Sequence, residues 1–519
     1  MSTVPVVQTP VVAPPPLHGP WQATDPWRRR WPVTGRPPVA ATVIAVLTAG
    51  VVAALAVPLD RTGAGWLVTA LAGATALKIP RLFPDSPAPG APLPLVVRDA
   101  PRVGPERYGW TAATVALIAV GLFRSAGWLF VLCLLTATLT GALAITGGRS
   151  MRSITTGYWM QVFAAFRALP WLAAGGRRIG HGPGRNVRIV WTVGVSALLL
   201  VVFGALFASA DPAFADVLAA IVPNFSALTL FRWVLLAGLT CMIVGGAAFL
   251  RANPPDLSGL DGTEGRKVNR IEWAVPLGLL VVLFAGFVIV QLTVLFGGDR
   301  HVLATDGLTY ANYARGGFWQ LSFVTVLTLF VLAGAARWAP RRSPIDRVLI
   351  RAILGALAGL TLVIVASALL RMNLYAQTYG LTRLRLLVAA CELWFGFVLL
   401  LVLVAGLRIL AAWLPRVAIA AGVAALLGLA VANPDGMIAS YNIQQNRSAD
   451  LLYLGGLSPD AAPALTALNP ADRECVLGRM SMHLSSRQED GWRGWNLGRE
   501  RARRVLAEQH VDGPTWRCS

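Results

Sequence analysis

The chain has 519 residues, 55% of them hydrophobic and only 13% charged, about half the charged share of a soluble protein, which excludes an ordinary soluble enzyme. The net charge of +20 does not point to nucleic acid, because nearly all of the basic residues flank apolar runs and read as topology signals. Arginines number 43 against two lysines, Lys78 and Lys267. With abundant Ala, Gly and Pro, this bias predicts a GC-rich genome such as that of an actinobacterium.

Residues 1–38 contain the tract PVVAPPPLHGP and then WRRRWPVTGR, which cannot bury enough apolar surface to fold alone and predict a disordered cytoplasmic tail. The first long apolar run starts near Val39. It lacks an early charged segment and a small-residue cleavage site, so a retained span is expected rather than a signal peptide.

A span needs roughly 20 mainly apolar residues to cross about 30 Å of hydrocarbon. Runs of that kind fall at 39–57, 65–79, 109–123, 126–146, 189–209, 229–250, 273–296, 317–336, 351–371, 385–407 and 417–432. The fold class is therefore an all-α polytopic membrane protein with about eleven transmembrane helices, between 10 and 12 given the two short runs at 65–79 and 109–123. The chain divides into a tail (1–38), four spans (39–146), a basic cytoplasmic loop (147–188), a transmembrane core (189–432) and an extracytoplasmic helical domain (433–519).

Arg and Lys collect on the cytoplasmic side of short loops. With the N-terminus inside a bacterial plasma membrane, the inner segments hold 27 basic residues, the short outer loops 8 and the C-terminal region 10. Loop 147–188 carries seven arginines and no acid; its stretch YWMQVFAAFRALPWLAAGG predicts a helix lying in the interface beside anionic lipid. A crossing there would carry RRIGHGPGRNVR outside.

From Asn433 onward ten acids balance ten arginines. NPDGMIASYNIQQN, a Ser-Pro-Asp helix start in LYLGGLSPDAAPALTAL, and the amphipathic WRGWNLGRERARRVLAEQH predict a small helical cap. Three cysteines (Cys133, Cys241, Cys391) sit in spans as small apolar residues. Cys475 and Cys518 share the outer compartment, where thiols pair; a bridge between them would close a loop of about 43 residues and stabilise by roughly 3–4 kcal/mol.

Chemistry-bearing motifs are scarce. There is no phosphate loop, zinc helix, CxxC pair, Rossmann fingerprint or GxSxG elbow, and His18, His181, His301, His483 and His510 are scattered on both sides, so neither metal nor cofactor is expected. Polar material gathers instead at the outer surface. In SADPAFADVLAAIVPNFSAL, Asp211-Pro212 reads most simply as a helix cap, with Asp216 beyond it. In DRHVLATDGLTYANYARGGFWQL, Tyr310, Tyr313 and Arg315 are either interface anchors or a fixed cation site for phosphate or carboxylate. In LLRMNLYAQTYGLTRLRLLVAACELWFGF, Arg371, Tyr375 and Tyr379 fall at i, i+4 and i+8 on one face, with Gly380 ending the helix. Arg383 and Arg385 lie outside against the charge trend and need a partner acid, a ligand or lipid phosphate. Glu392 is the only carboxylate deep in a span, where its charge costs about 2.5–3.5 kcal/mol; it reads as paired with an arginine such as Arg371, or as a ligand or proton site.

SADPAF, TYANYARGGFWQL, SALLRMNLYAQTYGLTRLRL and NPDGMIASYNI resemble the bacterial integral membrane proteins catalogued as domain of unknown function 4173, related to the 4153 group, from about residue 190 to 500. The resemblance implies membrane architecture and no mechanism. The leading expectation is a non-enzymatic envelope protein, a sensor or scaffold, whose outer cluster (Tyr310, Tyr313, Arg315, Arg371, Tyr375, Tyr379, Arg383, Arg385, Glu392) meets an anionic lipid headgroup, a small anion or a partner protein. A proton-coupled transporter using Glu392 comes second. An envelope lipid- or glycolipid-modifying enzyme, with Asp211, Asp299, Asp306 or Glu392 as acid or base, comes third.

Overall fold

Apolar runs bounded by Pro, Gly and Arg become long helices, since a backbone surrounded by hydrocarbon must satisfy its own hydrogen bonds. A computed structural model describes residues 37–79, 104–180, 227–255, 257, 268–296, 318–340, 343–408, 412–445, 450–485 and 490–511, with a few single positions between 196 and 214. In chain order the helices are α1 (Ala40–Ala56), α2 (Ala64–Ala76), α3 (Pro105–Phe123), α4 (Gly127–Thr146), α5 (Met151–Gly180), α6 (Ala227–Ala252), α7 (Arg270–Phe296), α8 (Phe318–Trp338), α9 (Pro344–Tyr379), α10 (Arg383–Arg408) and α11 (Leu414–Ala432). The C-terminal helices are α12 (Pro434–Gln444), α13 (Leu451–Gly455), α14 (Ala462–Leu465), α15 (Pro470–Ser485), α16 (Gly491–Gly494) and α17 (Leu497–Glu508), with a 3-10 turn at Pro459–Ala461. No strand occurs among the described residues.

Among the described residues seven helices, α4 and α6–α11, are long and apolar enough to cross a membrane, where the sequence predicts eleven spans. The first two expected spans are helices of 17 and 13 residues; at 1.5 Å per residue α2 covers about 20 Å, well short of the hydrocarbon thickness. The third, α3, opens on the polar residues Glu106, Arg107 and Tyr108, which dilute its apolar stretch. Run 189–209 lies largely outside the described residues.

The helix ends sort onto two faces. On one, α12–α17 pack around Ile438, Leu454, Leu465, Val476, Leu477 and Leu506 and cover the α1–α2, α3–α4 and α9–α10 connections and the end of α11. Thus Ala64 N donates to Trp495 O at 3.0 Å, Asn496 Nδ2 to the carbonyls of Gly121 and Arg124 at 2.8 and 2.9 Å, and Asn442 clamps Leu381 through both its amide (2.6 Å) and its carbonyl (2.9 Å). On the opposite face, Arg416 at the start of α11 donates to Gly147 and Gly148 at the end of α4 and pairs with Glu106 of α3. Arg251 donates to Leu77 O at 2.8 Å. Arg270 of α7 pairs with Asp346 of α9 at 2.7 Å, inside a capping box with Ser343.

On that opposite face α5 runs across helix ends: Gly157 abuts Thr146, Gly246 of α6 abuts Ala165, and Gly175 abuts Pro38. The approach to α6 is close enough that a Cβ on Gly246 would lie 2.7 Å from Ala165 N. Apolar packing is otherwise local, with Phe284, Leu321, Leu357, Ile364 and Leu399 joining α7–α10. Leu117, Leu129, Cys133 and Val423 join α3, α4 and α11. Cys133, Cys241 and Cys391 are free thiols, whereas Cys475 is disulfide-bonded and Cys518 lies outside the described residues.

Candidate functional site

The α9–α10 hairpin carries six of the nine residues singled out by sequence. With 36 residues, α9 is about 54 Å long at 1.5 Å per residue, so its last turns run well past a 30 Å slab. Gly380 ends it at φ 77, a conformation that favours glycine, and a Cβ there would also meet Asn442 Oδ1 at 2.8 Å. On the projecting turns Tyr375 and Tyr379 stack at 4.8 Å, and the Arg385 guanidinium lies over the Tyr375 ring at 4.3 Å. Arg385 also donates to the Tyr379 carbonyl at 2.9 Å and to that of Gly380, capping a helix end whose carbonyls lack intrahelical partners. Tyr379 is half exposed.

Arg383 turns the other way, into the cap. Its Nε and Nη2 fork onto Asp435 at 3.0 and 2.6 Å, and its backbone N–H donates to the Tyr453 hydroxyl at 2.8 Å. Asp435 is fully buried and also accepts from Ser458 N at 2.8 Å and Trp128 Nε1 at 3.2 Å. Burial alone would raise this carboxyl, but Arg383 and Ser458 hold it below the ordinary carboxylate range.

Two other buried acids join cap to bundle. Asp490 accepts from Arg61, Arg499 and Arg503 at 3.0, 2.9 and 2.5 Å; burial pushes it up, and the three arginines bring it below the ordinary range. Asp460 reaches the start of α4, where its Oδ2 accepts from Ser125 N at 2.7 Å and Ala126 N at 3.0 Å, an N-cap supplied from another element. Its Oδ1 has no hydrogen-bond partner among the described residues, and burial raises the group despite the two amides. Beside it an open cleft of about 620 Å³ is lined by Asn433, Met437, Ser440, Tyr441, Gln444 and Asp460.

Deeper in the bundle, Arg371 Nη2 and Ser367 Oγ donate to Gln291 Oε1 at 2.8 and 3.0 Å. Glu392 is buried and accepts from Ser322 Oγ at 2.5 Å, while its Oε2 has no hydrogen-bond partner among the described residues. Among the described residues Glu392 therefore meets a serine from α8 rather than an arginine, and Arg371 is engaged with Gln291. Tyr310, Tyr313 and Arg315 lie outside the described residues, as do Asp216, Asp299 and Asp306; Asp211 is exposed.

The structure thus brings Tyr375, Tyr379 and Arg385 into one contact group, sets Arg383 against the cap, and places half-buried Arg371 and buried Glu392 in separate polar contacts. Sequence reasoning missed Asp435, Asp460, Gln291 and Ser322. Asp460 follows Pro in SPD, which reads as a local helix start, and Asp435 follows Pro in NPD, yet both carboxylates reach other elements. Gln291 and Ser322 were visible as polar residues within apolar runs, each beside other polar residues that give no ground to choose them. Among the described residues no group of three or more His, Cys, Asp or Glu is placed to hold a metal ion.

No curated protein and no solved structure matches this chain. A family model does match, over residues 112–468, starting well before the expected 190 and taking in most of α3, α4 and α5 as well as the hairpin and the first part of the cap, up to α14. The chain belongs to the family described as a domain of unknown function (DUF4153).

Proposed function

We propose that this chain is a non-enzymatic multi-pass protein of a bacterial cytoplasmic membrane, a sensor or scaffold that holds an anionic lipid headgroup at the Tyr375–Tyr379–Arg385 cluster beside an extracytoplasmic cap. The observation carrying the reading is a half-exposed arginine–tyrosine stack on helix turns that project past the apolar slab. The nearest cap carboxylate, Asp435, is committed to Arg383, leaving the positive charge of Arg385 without a counter-ion among the described residues. Arg371 would support the stack from below. Orientation follows from the basic residues, which concentrate on the face opposite the cap. The interfacial course of α5 on the cytoplasmic side, kinship with the 4173 group and an actinobacterial source belong to the same reading.

The test is photocrosslinking in vesicles with a headgroup-labelled phosphatidylglycerol, followed by peptide mapping. Adducts should fall on the segment containing residues 371–385 and drop several-fold in Tyr379→Ala. Labelling confined to other segments, or unchanged in that variant, refutes the headgroup site.

A second reading, proton-coupled transport, is favoured by Glu392, a buried carboxyl bonded to one hydroxyl inside an apolar core. Intramembrane carboxyls of this kind serve as proton sites. Glu392→Gln should then abolish substrate-dependent proton flux in proteoliposomes while leaving thermal stability near wild type; unchanged flux removes this reading.

A further inference from the structure

On the face away from the cap, α3 and α11 leave a cleft of about 620 Å³ between them, within the range of built small-molecule sites. Its walls are apolar: Trp110 and Ala113 from α3, and Val417, Ala420 and Val423 from α11. Small residues keep it open, and Ala420 faces out of the bundle. From Trp413 to Val423 the cleft follows about 15 Å of helix at 1.5 Å per residue, the depth of one leaflet of a 30 Å hydrocarbon slab.

All of the charge lies at its outer end. Arg416 is committed to Glu106 and to the carbonyls of Gly147 and Gly148, so that pair is neutral. The Arg149 guanidinium is exposed and has no hydrogen bond or ion pair among the described residues. Trp413 sits at the same level, as indoles do in the headgroup zone. An occupant must therefore present an anion at the mouth and hydrocarbon for about one leaflet depth inward. A soluble anion would leave the apolar walls uncovered, and a neutral lipid would leave Arg149 unused. We propose that this cleft binds an anionic phospholipid of the adjacent leaflet, with its phosphate on Arg149 and an acyl chain between α3 and α11. This site is independent of the hairpin cluster on the other face.

The experiment is native mass spectrometry of the full chain released from nanodiscs of equal dioleoyl-phosphatidylglycerol and dioleoyl-phosphatidylcholine. Wild type should retain phosphatidylglycerol preferentially. Arg149→Gln should reduce that preference about fivefold, the ~1 kcal/mol that one basic residue contributes at an anionic surface. Ala420→Phe, which fills the cleft and leaves the charge in place, should lower retention of both lipids. Equal retention of the two lipids by wild type, or wild-type retention in either variant, overturns the proposal.

Discussion

Removal of Arg383 should cost more than removal of the acid it holds. Asp435 is 0% exposed, whereas the Arg383 side chain is 34% exposed. Arg383→Met strands a buried carboxylate with neutral donors alone, Ser458 and the Trp128 indole, and breaking a buried pair from this side costs about 3–5 kcal/mol. Asp435→Asn keeps an acceptor for those donors and leaves Arg383 able to reach water, so its cost should be nearer the ~1–3 kcal/mol of an imperfectly satisfied polar site. The double variant Arg383→Met, Asp435→Leu removes both charges and should be more stable than Arg383→Met alone. Thermal unfolding in detergent measures all three, and limited proteolysis reports cap release. If Arg383→Met melts with the wild type, or if the two single variants cost the same, the ion pair does not hold the cap and the reasoning fails.

The three cap carboxylates predict opposing pH dependences. Asp435 and Asp490 lie below the ordinary value of 3.8, so their stabilisation is present above about pH 4 and is lost as pH falls through the folded values. Asp460 is raised, so its contribution is full in acid and declines as pH rises through its folded value; Asp460→Asn should remove this decline from melts recorded between pH 4 and 7. Gly246→Ala should destabilise the α5–α6 packing by about 1–3 kcal/mol in the same melts, because its Cβ meets the Ala165 backbone; an unchanged melting temperature would show that the helices can separate cheaply. We propose Cys518 as the partner of Cys475: Cys518→Ser should expose one new thiol to maleimide after denaturation without reductant, and no new thiol would refute the pairing. A Gln509→Cys substitution should be labelled by an impermeant maleimide in intact cells if the cap is extracytoplasmic, and only after lysis if it is not.

The apolar helices were legible because hydrocarbon demands a composition that nothing else mimics, and the end of α9 at Gly380 was legible from one residue. The span count was less so. Run 65–79 is apolar up to Lys78 but for two threonines, yet its helix stops at Ala76 after 13 residues, and a hydropathy pattern does not carry the helix length. Within the candidate site, spacing placed Tyr375 and Tyr379 on one face and the stack follows, with Arg385 joining them from the next helix. Spacing could not decide between Ser322 and Arg371 as the partner of Glu392, since that choice depends on how α8 and α10 are rotated. Asp460 was readable as part of a helix start, a common local use of Asp, whereas Asp435 was not singled out. Their distant partners, Arg383 and the start of α4, are properties of the assembled fold.

The arginines support a wider argument about what they do at helix ends. Read as topology signals they need only lie near the right face. Several are instead aimed at particular carbonyls: Arg124 at Ala430 and Val431, Arg251 at Leu77, Arg416 at Gly147 and Gly148, and Arg385 at Tyr379. A helix end leaves up to four carbonyls unpaired at the negative end of its dipole, and at the edge of a membrane water competes weakly for them. A guanidinium from a neighbouring element satisfies two such acceptors at once and ties the two elements together. Lysine, a point charge on a flexible stem, would do this less well, so the 43 to two ratio has a structural use whatever its origin in codon bias. Arg124→Lys keeps the charge and the face and should still loosen the α3–α11 join, lowering the melting temperature; a lysine variant as stable as wild type would leave the arginine with a charge role alone.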